Sequence, residues 1–442
     1  MTSLLIAAER LIVTRATAAP AGSSPSQVVS PGYVRLDGGH IAEVDAGRPP
    51  GRPDVELTGG TLAPGLIDLQ VNGYYGHDLV DADEAGWHTV VRRLPETGVT
   101  AFLPTFITAP IPTLVAALRT AAHWLSPSPS PSPLPSQSSS PFPSPSPASA
   151  PGGSRVLGVH LEGPFLSRDR RGAHNAEWLT DPTPEAVRTL LAAGPVTIVT
   201  LAPERAGGLD AVRALSQAGV LVSVGHSDAT ADQVKQAADA GARMITHLFN
   251  AQSGVHHRAP GVAAQALADA RLTAGLIADM AHVAPVVCKV AFAAAPGRIV
   301  LVTDAAAAAG MPPGRYDLGG EPIDLPADGP PLRADGTIAG SALRLDAAVG
   351  NVAGLGVDLA VAVDAATRVP ADLIGRPDLG RIAPGAAADL VWLAAADAAE
   401  TGLRARATWI GGELVFENTR RPWAPAPDDG PATHGSKGRD RP

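Results

Sequence analysis

The run RVLGVHLE, at residues 155–162, decides the fold. It is rich in Leu and Val, and its last residue is Glu162, which carries a carboxylate. Three later runs share this plan, and each ends on a polar residue: VLVSVGH on His226, RMITH on His247 and RIVLVTD on Asp304. Short β-branched runs of this kind predict buried strands. Glu and His are ligands for a divalent metal such as zinc, and an Asp beside them can take a proton from water. The four runs therefore predict a metal site on the rim of a barrel.

Eight such runs alternate with Ala-rich helical stretches, a pattern typical of repeated βα units. In chain order they are GLIDLQV (65–71), VTAFLPT (99–105), RVLGVHLE (155–162), VTIVTLA (196–202), VLVSVGH (220–226), RMITH (243–247), LTAGLIA (272–278) and RIVLVTD (298–304). Helices are predicted at 210–217 and 230–240, the second with Thr230 and Gln233 in capping-box spacing. The predicted fold is α/β, a closed (β/α)8 TIM-like barrel. Its catalytic groups lie at the C-terminal ends of the strands, so the four polar residues would meet at one rim.

The two ends of the chain read differently from the barrel. Residues 4–55 contain short alternating strands separated by Pro, Gly and Ser, and β structure returns at 379–417. We expect both ends to form one small β-sandwich domain. The predicted division is 1–61 and 379–418 for this domain, 62–378 for the barrel, 126–151 for a disordered Pro/Ser insertion within it, and 419–442 for a disordered tail.

The composition suits a globular enzyme that acts on a small molecule. Hydrophobic residues make up 45% and charged residues 17% of the chain, and the net charge is -9. No Lys/Arg run predicts binding to nucleic acid or to an acidic membrane surface. Cys288 is the one cysteine, which excludes an intrachain disulfide and fits a reducing compartment. The N-terminal stretch lacks the features of a signal peptide, so we expect a cytoplasmic protein.

Seven motifs in order carry a family resemblance: APGLIDLQVNG (63–73), GVHLEGPF (158–165), GAHNAEW (172–178), VGHSDA (224–229), THLFNA (246–251), IADMAHV (277–283) and LVTDA (301–305). The chain from Leu4 to about Glu417, apart from the Pro/Ser insertion, resembles the N-acetylglucosamine-6-phosphate deacetylases of the amidohydrolase superfamily. The resemblance implies hydrolysis of N-acetylglucosamine 6-phosphate to glucosamine 6-phosphate and acetate, in amino-sugar catabolism.

The resemblance also implies one metal per chain. Many amidohydrolases have a His-x-His pair after the first strand, where this chain has Gln70 and Asn72. Neutral amides are poor zinc ligands, so we expect these two residues to form hydrogen bonds at the rim. A single divalent ion, with zinc favoured over iron, manganese or cobalt, would then be held by Glu162, His226 and His247.

Further roles follow from the same resemblance. Asp304 is expected to take a proton from the attacking water and return it to the departing amine, and His174 to hydrogen-bond the carbonyl oxygen as it becomes an oxyanion. Arg258 is expected to bind phosphate, reaching into the site of a neighbouring subunit in a homodimer. The remaining predicted substrate-binding residues are Ala173, Asn250, Ala251, His282, Ile338, Ala339 and Gly340.

Two other functions stay open at this point. One is a different amidohydrolase, acting on a cyclic amide or an N-acyl amino acid, for which a carbamylated Lys at the end of the fourth strand would be expected. That position has Leu201, Ala202 and Pro203, which argues against a site with two metals. The other is a scaffold that keeps the fold without catalysis. Loss of the His pair favours this scaffold hypothesis. Four retained polar residues oppose it: Glu162, His226, His247 and Asp304.

Overall fold

The computed structural model describes residues 3–14, 26–125, 152–396 and 402–418. The predicted insertion at 126–151 and the predicted tail at 419–442 lie outside these described residues. Within the described ranges, no helix is long and apolar enough to cross a membrane.

The described strands, in chain order, are β1 (Leu4–Ala8), β2 (Leu11–Thr14), β3 (Ser26–Val29), β4 (Gly32–Asp37), β5 (His40–Ala46), β6 (Val55–Leu57), β7 (Gly60–Pro64), β8 (Leu66–Val71), β9 (Gly73–Tyr74), β10 (His77–Asp78), β11 (Val99–Ile107), β12 (Arg155–Val156), β13 (Val159–Glu162), β14 (Val196–Leu201), β15 (Leu221–Val224), β16 (Met244–Ile245), β17 (Thr273–Leu276), β18 (Ile299–Leu301), β19 (Gly314–Leu318), β20 (Glu321–Leu325), β21 (Leu390–Ala395), β22 (Leu403–Ile410) and β23 (Glu413–Glu417).

The described α-helices are α1 (Glu84–Arg93), α2 (Ile111–Ala122), α3 (Pro184–Leu191), α4 (Gly208–Gln217), α5 (Ala231–Ala240), α6 (Gly261–Ala268), α7 (Pro285–Ala294), α8 (Leu345–Gly354), α9 (Leu359–Asp364) and α10 (Arg368–Leu373). Short 3-10 helices span Leu94–Thr97, Arg168–Arg170 and Ala176–Trp178. The two helices predicted from the sequence are confirmed as α4 and α5. Thr230 and Gln233 form the predicted capping box at the start of α5.

The barrel is built from β8, β11, β13, β14, β15, β16, β17 and β18, which pair in parallel in that order. The eight predicted runs are therefore confirmed as its strands. The chain after β18 joins the first strand, because the Asp304 amide donates to the Gln70 carbonyl at 2.9 Å. An isolated parallel bridge between Val71 and Ala305 continues this contact. The eighth and first strands therefore meet at the rim, which brings Asp304 beside the residues that follow β8.

Burial explains why the barrel runs are continuously apolar. Every residue of β8 and β11 is buried, because side chains fill the barrel interior on one face and helices cover the other. The covering helices are amphipathic. In α4, for example, Ala211, Val212 and Leu215 are buried, whereas charged residues such as Asp210 and Arg213 are exposed.

Strands from both ends of the chain form the second part of the molecule. A six-stranded sheet has the order β23-β22-β21-β7-β2-β3, and a four-stranded sheet has the order β5-β4-β1-β6. The two sheets share a hydrophobic core that includes Ile6, Val34, Leu62, Trp392 and Trp409. The β domain expected from the two chain ends is confirmed by this pairing. Its exact boundaries stay a prediction, since β7 spans the proposed division after residue 61.

A hairpin of β19 and β20 was not predicted. The apolar residues Leu318, Ile323 and Leu325 pack it against Ile107 and Ala339 above the barrel. Its turn is Gly319-Gly320, with φ of 60° and 79°, a backbone conformation that favours two glycines in a tight hairpin. The Gly-Gly pair between alternating apolar residues was the available signal. The hairpin matters for function because it covers the rim on which the predicted site lies.

Candidate active site and metal centre

The three predicted metal ligands lie together at the C-terminal ends of their strands. Glu162 is the last residue of β13, while His226 and His247 follow β15 and β16 by two residues. All three side chains are buried, and their ligand atoms lie within 4.8 Å of one another. Glu162 Oε1 is 3.4 Å from His226 Nε2 and 3.0 Å from His247 Nε2. The strand ends thus produce the cluster that their spacing predicted.

Backbone carbonyls orient both imidazoles of this cluster. His226 Nδ1 donates to the Arg170 carbonyl at 2.9 Å, and His247 Nδ1 donates to the Asn250 carbonyl at 3.2 Å. A carbonyl oxygen can only accept, so Nδ1 carries a hydrogen, and Nε2 either donates to Glu162 when it is protonated or presents its lone pair to a cation. The two Nε2 atoms are 2.9 Å apart and face the Glu162 carboxylate. Two imidazole lone pairs and a carboxylate, each oriented in this way, are a donor set that suits a divalent cation.

Three of the four central residues have an unusual backbone conformation. His226, His247 and Asp304 have φ of 47°, 22° and 52°. Such left-handed values are uncommon for residues other than glycine, and they are concentrated at functional sites. The strain is held by surrounding contacts, such as the hydrogen bond from the Ser341 amide to the Asp304 carbonyl at 2.7 Å. No pattern of residue types predicts this feature.

The charges of the cluster stabilise the Glu162 carboxylate. Burial alone would raise the pKa of Glu162, but hydrogen bonds from His226 and His247 and their positive charge outweigh it and hold the pKa well below its ordinary value. Burial likewise opposes a charged His247, yet its hydrogen bond to Glu162 raises the His247 pKa overall. Glu162 is therefore an anion in the folded protein, as a metal ligand must be.

Asp304 lies beside the cluster with one oxygen held and the other available. Its Oδ1 accepts hydrogen bonds from Asn72 Nδ2 at 2.7 Å and from Gln70 Nε2 at 3.1 Å. Among the described residues none donates to Oδ2. Burial, together with the negative charge of Glu162, raises the pKa of Asp304 to about 6. A carboxyl group with this pKa can both accept and return a proton near neutral pH.

Gln70 links the predicted ligands to the predicted base. Its Nε2 donates to Glu162 Oε1 at 3.0 Å as well as to Asp304, and its Oε1 accepts from Thr246 Oγ1 at 3.0 Å. The Gln70 amide therefore directs its nitrogen, which cannot ligate a cation, at the two carboxylates. Asn72 does the same toward Asp304. These contacts are the hydrogen bonds that were expected of Gln70 and Asn72 at the rim.

His174 lies on the loop after β13, and Thr108 orients it. Its Nδ1 accepts from the Thr108 amide at 3.2 Å and contacts Thr108 Oγ1 at 2.8 Å. Since Nδ1 accepts from an amide, the hydrogen is on Nε2. Burial and the nearby His226 charge lower the pKa of His174 well below its ordinary value. His174 is therefore a neutral imidazole whose Nε2–H can donate to an oxygen.

Thr108 was missed by the sequence reasoning, although it follows β11 directly and so occupies the strand-end position used to choose the other residues. His160, also within the resembled motifs, is not part of the site. Its ring nitrogens contact the Leu69 carbonyl at 3.1 Å and Thr200 Oγ1 at 2.7 Å inside the barrel. Burial lowers the pKa of His160 to about 4, so it is a neutral core residue.

A cavity of about 350 Å³ contains these groups. Its described lining includes six of the predicted substrate-binding residues: Ala173, Asn250, Ala251, His282, Ile338 and Gly340. Ala339, between two of them, is completely buried. Lining residues that were not predicted are Ile107, Asp169, Arg170, Gly172, Ile277, Leu318 and Thr337. Gly172 and Ile277 lie inside the motifs quoted from the sequence, and Thr337 directly precedes Ile338, so these three could have been taken from the sequence.

Arg258 is the other predicted substrate-binding residue outside the described lining of the cavity. Its side chain is exposed, and it does not line this cavity within the chain. His282 does line the cavity, and its Nδ1 lies 2.7 Å from Asp279 Oδ2, which fixes the ring. The single chain therefore assembles the acid-base and metal-ligand groups, whereas Arg258 lies away from them.

A barrel with an oriented Glu-His-His cluster and an aspartate after its eighth strand has the features of a metal-dependent hydrolase. The chain belongs to the amidohydrolase family, whose model matches residues 61–415. Members of this family depend on metals, and the cluster could hold one.

Relatives and solved structures narrow the comparison. The chain is 37% identical over 371 residues to the N-acetylglucosamine-6-phosphate deacetylase of Bos taurus, covering 80% of this chain and 83% of the relative. It is 38% identical over 366 residues to the N-acetylgalactosamine-6-phosphate deacetylase of Escherichia coli O157:H7, covering 82% and 88%. A mutant N-acetyl-D-glucosamine-6-phosphate deacetylase from Mycobacterium smegmatis, solved in complex with N-acetyl-D-glucosamine-6-phosphate, superposes with a TM-score of 0.80 at 32% identity, over 94% of this chain and 100% of the other.

Proposed function

We propose that this chain removes the acetyl group from N-acetylglucosamine 6-phosphate and produces glucosamine 6-phosphate and acetate, in the cytoplasmic breakdown of amino sugars. The observation that carries the proposal is the position of Asp304 beside the Glu162, His226 and His247 cluster in one cavity. The relatives named for this reaction support it, as does the likeness to a structure solved with this sugar phosphate.

The chemistry follows from the orientation of each group. A divalent ion held by Glu162, His226 and His247 would supply Lewis acidity for amide hydrolysis. Asp304 takes a proton from the attacking water through its available oxygen and then delivers it to the nitrogen as the C–N bond breaks. The His174 Nε2–H donates to the carbonyl oxygen as negative charge develops on it. Each of these roles matches the hydrogen-bonding state that the structure imposes on the side chain.

One zinc ion per chain is the proposed cofactor. The amide nitrogens of Gln70 and Asn72 point at carboxylates, where a second metal would need histidine lone pairs or a bridging carboxylate. Strand β14 ends on Leu201 and is followed by Ala202 and Pro203, so this strand end offers no lysine to bridge two ions. Nitrogen and carboxylate ligands of this number are those that zinc prefers in catalytic sites.

Recognition of the phosphate is proposed to involve a second copy of the chain. Arg170 is the one arginine in the described lining of the cavity, and Asp228 neutralises it at 2.7 Å. Phosphate binding favours an arginine with free donors. The exposed Arg258 is such a residue, so we propose that it completes the site of a partner subunit in a homodimer.

A second substrate has specific support. The relative from Escherichia coli O157:H7 is named for N-acetylgalactosamine 6-phosphate, and its identity of 38% is close to the 37% of the Bos taurus relative. The two sugars differ in the configuration of one hydroxyl group. Their acetamide and phosphate are the same, so the groups described above do not distinguish them.

The test is steady-state acetate release from three compounds: both phosphorylated sugars and N-acetylglucosamine without phosphate. The proposal predicts the highest kcat/KM with N-acetylglucosamine 6-phosphate and a large loss without the phosphate. A higher kcat/KM with N-acetylgalactosamine 6-phosphate would make that compound the proposed substrate instead. No acetate from any of them, with metal present in the protein, would contradict the proposal and favour a cyclic-amide or N-acyl amino-acid hydrolase or an inactive scaffold.

A further inference from the structure

The hairpin of β19 and β20 brings an apolar side chain to the active-site cavity. Leu318 is the last residue of β19 and Ile107 the last residue of β11, and both line the cavity. The two residues belong to one hydrophobic cluster, against which Ala173, a third lining residue, also packs. We name Ile107, Ala173 and Leu318 together the apolar wall. Since His174 follows Ala173 directly, the apolar wall adjoins the side chain that donates to the carbonyl oxygen.

Contacts at the tip of the hairpin hold the apolar wall in place. Gly319, next to Leu318, donates its amide hydrogen to Asp78 Oδ2 at 2.6 Å. Gly319 also lies so close to Ile107 that an added Cβ would be 2.5 Å from Ile107 Cδ1. Asp78 is buried on β10, after the first barrel strand, and Ile107 ends the second. Leu318 is therefore a preorganised part of the cavity surface.

The opposite side of the cavity offers polar groups. Asn250 follows β16, His282 follows β17, and both line the cavity. Strands β11 and β16 are the second and sixth of the eight in the barrel, so they lie across the ring from each other. A sugar hydroxyl or a phosphate needs hydrogen-bond partners when it leaves water. The side chains of Asn250 and His282 can supply them, whereas those of the apolar wall have no polar atom.

We propose that the apolar wall binds the acyl group, and that Leu318 limits the length of the acyl chain that the enzyme removes. This inference rests on the proposed function. The acyl chain and the carbonyl oxygen are bonded to the same carbon, and His174 binds that oxygen beside Ala173. The nitrogen faces Asp304 and carries the sugar toward the polar side. The methyl group is then directed at the apolar wall, where it is removed from water.

The proposal makes Leu318 a specificity-determining residue. An acetyl group ends in one methyl, whereas a butanoyl chain has two further carbon atoms that need the volume taken by the Leu318 side chain. A single methylene in a packed hydrophobic pocket changes kcat/KM by roughly tenfold or more. Replacement of Leu318 by alanine opens this volume and favours the longer chain relative to acetyl.

The experiment measures kcat/KM for N-butanoylglucosamine 6-phosphate and N-acetylglucosamine 6-phosphate with the unchanged protein, Leu318→Ala and Leu325→Ala. The ratio of the two values cancels any loss that both substrates share. Leu318→Ala should raise the butanoyl-to-acetyl ratio by about tenfold or more. Leu325 is the matched control, because it is a buried leucine of the same hairpin and cluster outside the described lining of the cavity. An equal rise in both variants, or none in Leu318→Ala, would overturn the proposal.

A third substrate separates an acyl subsite from general loosening of the cavity. N-acetylgalactosamine 6-phosphate changes the sugar and keeps the acetyl group. Its kcat/KM relative to N-acetylglucosamine 6-phosphate should be the same in Leu318→Ala as in the unchanged protein. A change in this sugar ratio as large as the change in the acyl ratio would overturn the proposal.

Ile107→Val tests the same wall if Leu318→Ala does not fold, because it removes one methyl group from the barrel side. It should raise the butanoyl-to-acetyl ratio in the same direction, and an unchanged ratio would overturn the proposal. Acetate release by the unchanged protein with no shift of the acyl ratio in the variants contradicts the acyl subsite alone. No release of either acid by the unchanged protein contradicts the proposed function, and the subsite with it.

Discussion

Arg333 Nη1 donates to the carbonyl of Ala173 at 2.6 Å, one residue before His174. The same guanidinium pairs with Glu321 at 3.2 Å, and Glu321 also accepts from Asn175 Nδ2 at 3.0 Å. Glu321 begins β20, so the hairpin above the barrel is linked to both neighbours of His174, to Asn175 directly and to Ala173 through Arg333. The unpredicted hairpin thus contributes to the position of a predicted catalytic side chain.

Arg333→Ala should lower kcat by several-fold and change KM little, because the loop would hold His174 less precisely when charge develops on the carbonyl oxygen. Arg315→Ala is the matched control, since Arg315 is an exposed arginine on the hairpin that Arg333 contacts through Glu321. Steady-state kinetics of both variants checks the prediction. An equal loss of kcat in the Arg315 variant would show that positive charge in this region matters, rather than the contact between Arg333 and Ala173.

Glu162→Gln should remove most of the bound metal, because a neutral amide replaces the anion among three protein ligands. Elemental analysis after desalting measures the metal per chain. Glu177→Gln, at an exposed position in the 3-10 helix that follows His174, is the control and should keep the metal. If the Glu162 variant retained a full equivalent, another set of ligands would have to hold the ion.

Asp304→Asn should keep the metal and lower turnover by roughly 100-fold or more, since an amide cannot take a proton from water. Metal analysis and kinetics on the same sample separate the two effects. Turnover within a few-fold of the unchanged protein would exclude Asp304 as the base.

The pH profile follows from the same residue. Burial and the charge of Glu162 raise the pKa of Asp304 to about 6, so the carboxylate is protonated more readily than an ordinary aspartate. The base form is lost as the pH falls, and kcat/KM should decrease below about pH 6 and rise to a plateau above it. Metal content is measured at each pH, because acid also protonates metal ligands. A flat profile through this range with metal retained would contradict the assignment.

Arg258→Ala should chiefly raise KM for the phosphorylated sugar, because phosphate is bound both before and during acyl transfer. Hydrolysis of the unphosphorylated sugar should change little. Lys289→Ala, at an exposed position on α7, serves as the control for loss of a surface cation. Equal damage to both substrates would show that Arg258 supports the subunit interface or the fold instead.

The barrel and its central cluster could be predicted because both depend on residue type and order. Each strand is a run of apolar residues, and the C-terminal ends of parallel strands share one rim, so the positions of Glu162, His226, His247 and Asp304 followed from the runs they end. Gln70 and Asn72 were recognised from the family resemblance, which places a His-x-His pair after the first run.

The remainder depends on contacts that residue types do not encode. The carbonyl of Arg170 orients His226 across 56 residues of sequence, and any residue could supply that carbonyl. The positive φ of His226 and Asp304 is a property of the assembled rim rather than of local propensity. The Gly319-Gly320 turn, in contrast, was a local signal that predicts a hairpin, and it was overlooked.

Metal reconstitution tests the central claim most directly. The metal is removed with a chelator, zinc is added back in steps, and acetate release from N-acetylglucosamine 6-phosphate is measured at each step. With Glu162, His226 and His247 as one site, activity should rise linearly and reach its plateau at about one zinc per chain. A plateau at two zinc ions per chain would contradict the single-metal site, and absence of acetate at any zinc level would contradict the deacetylase function itself.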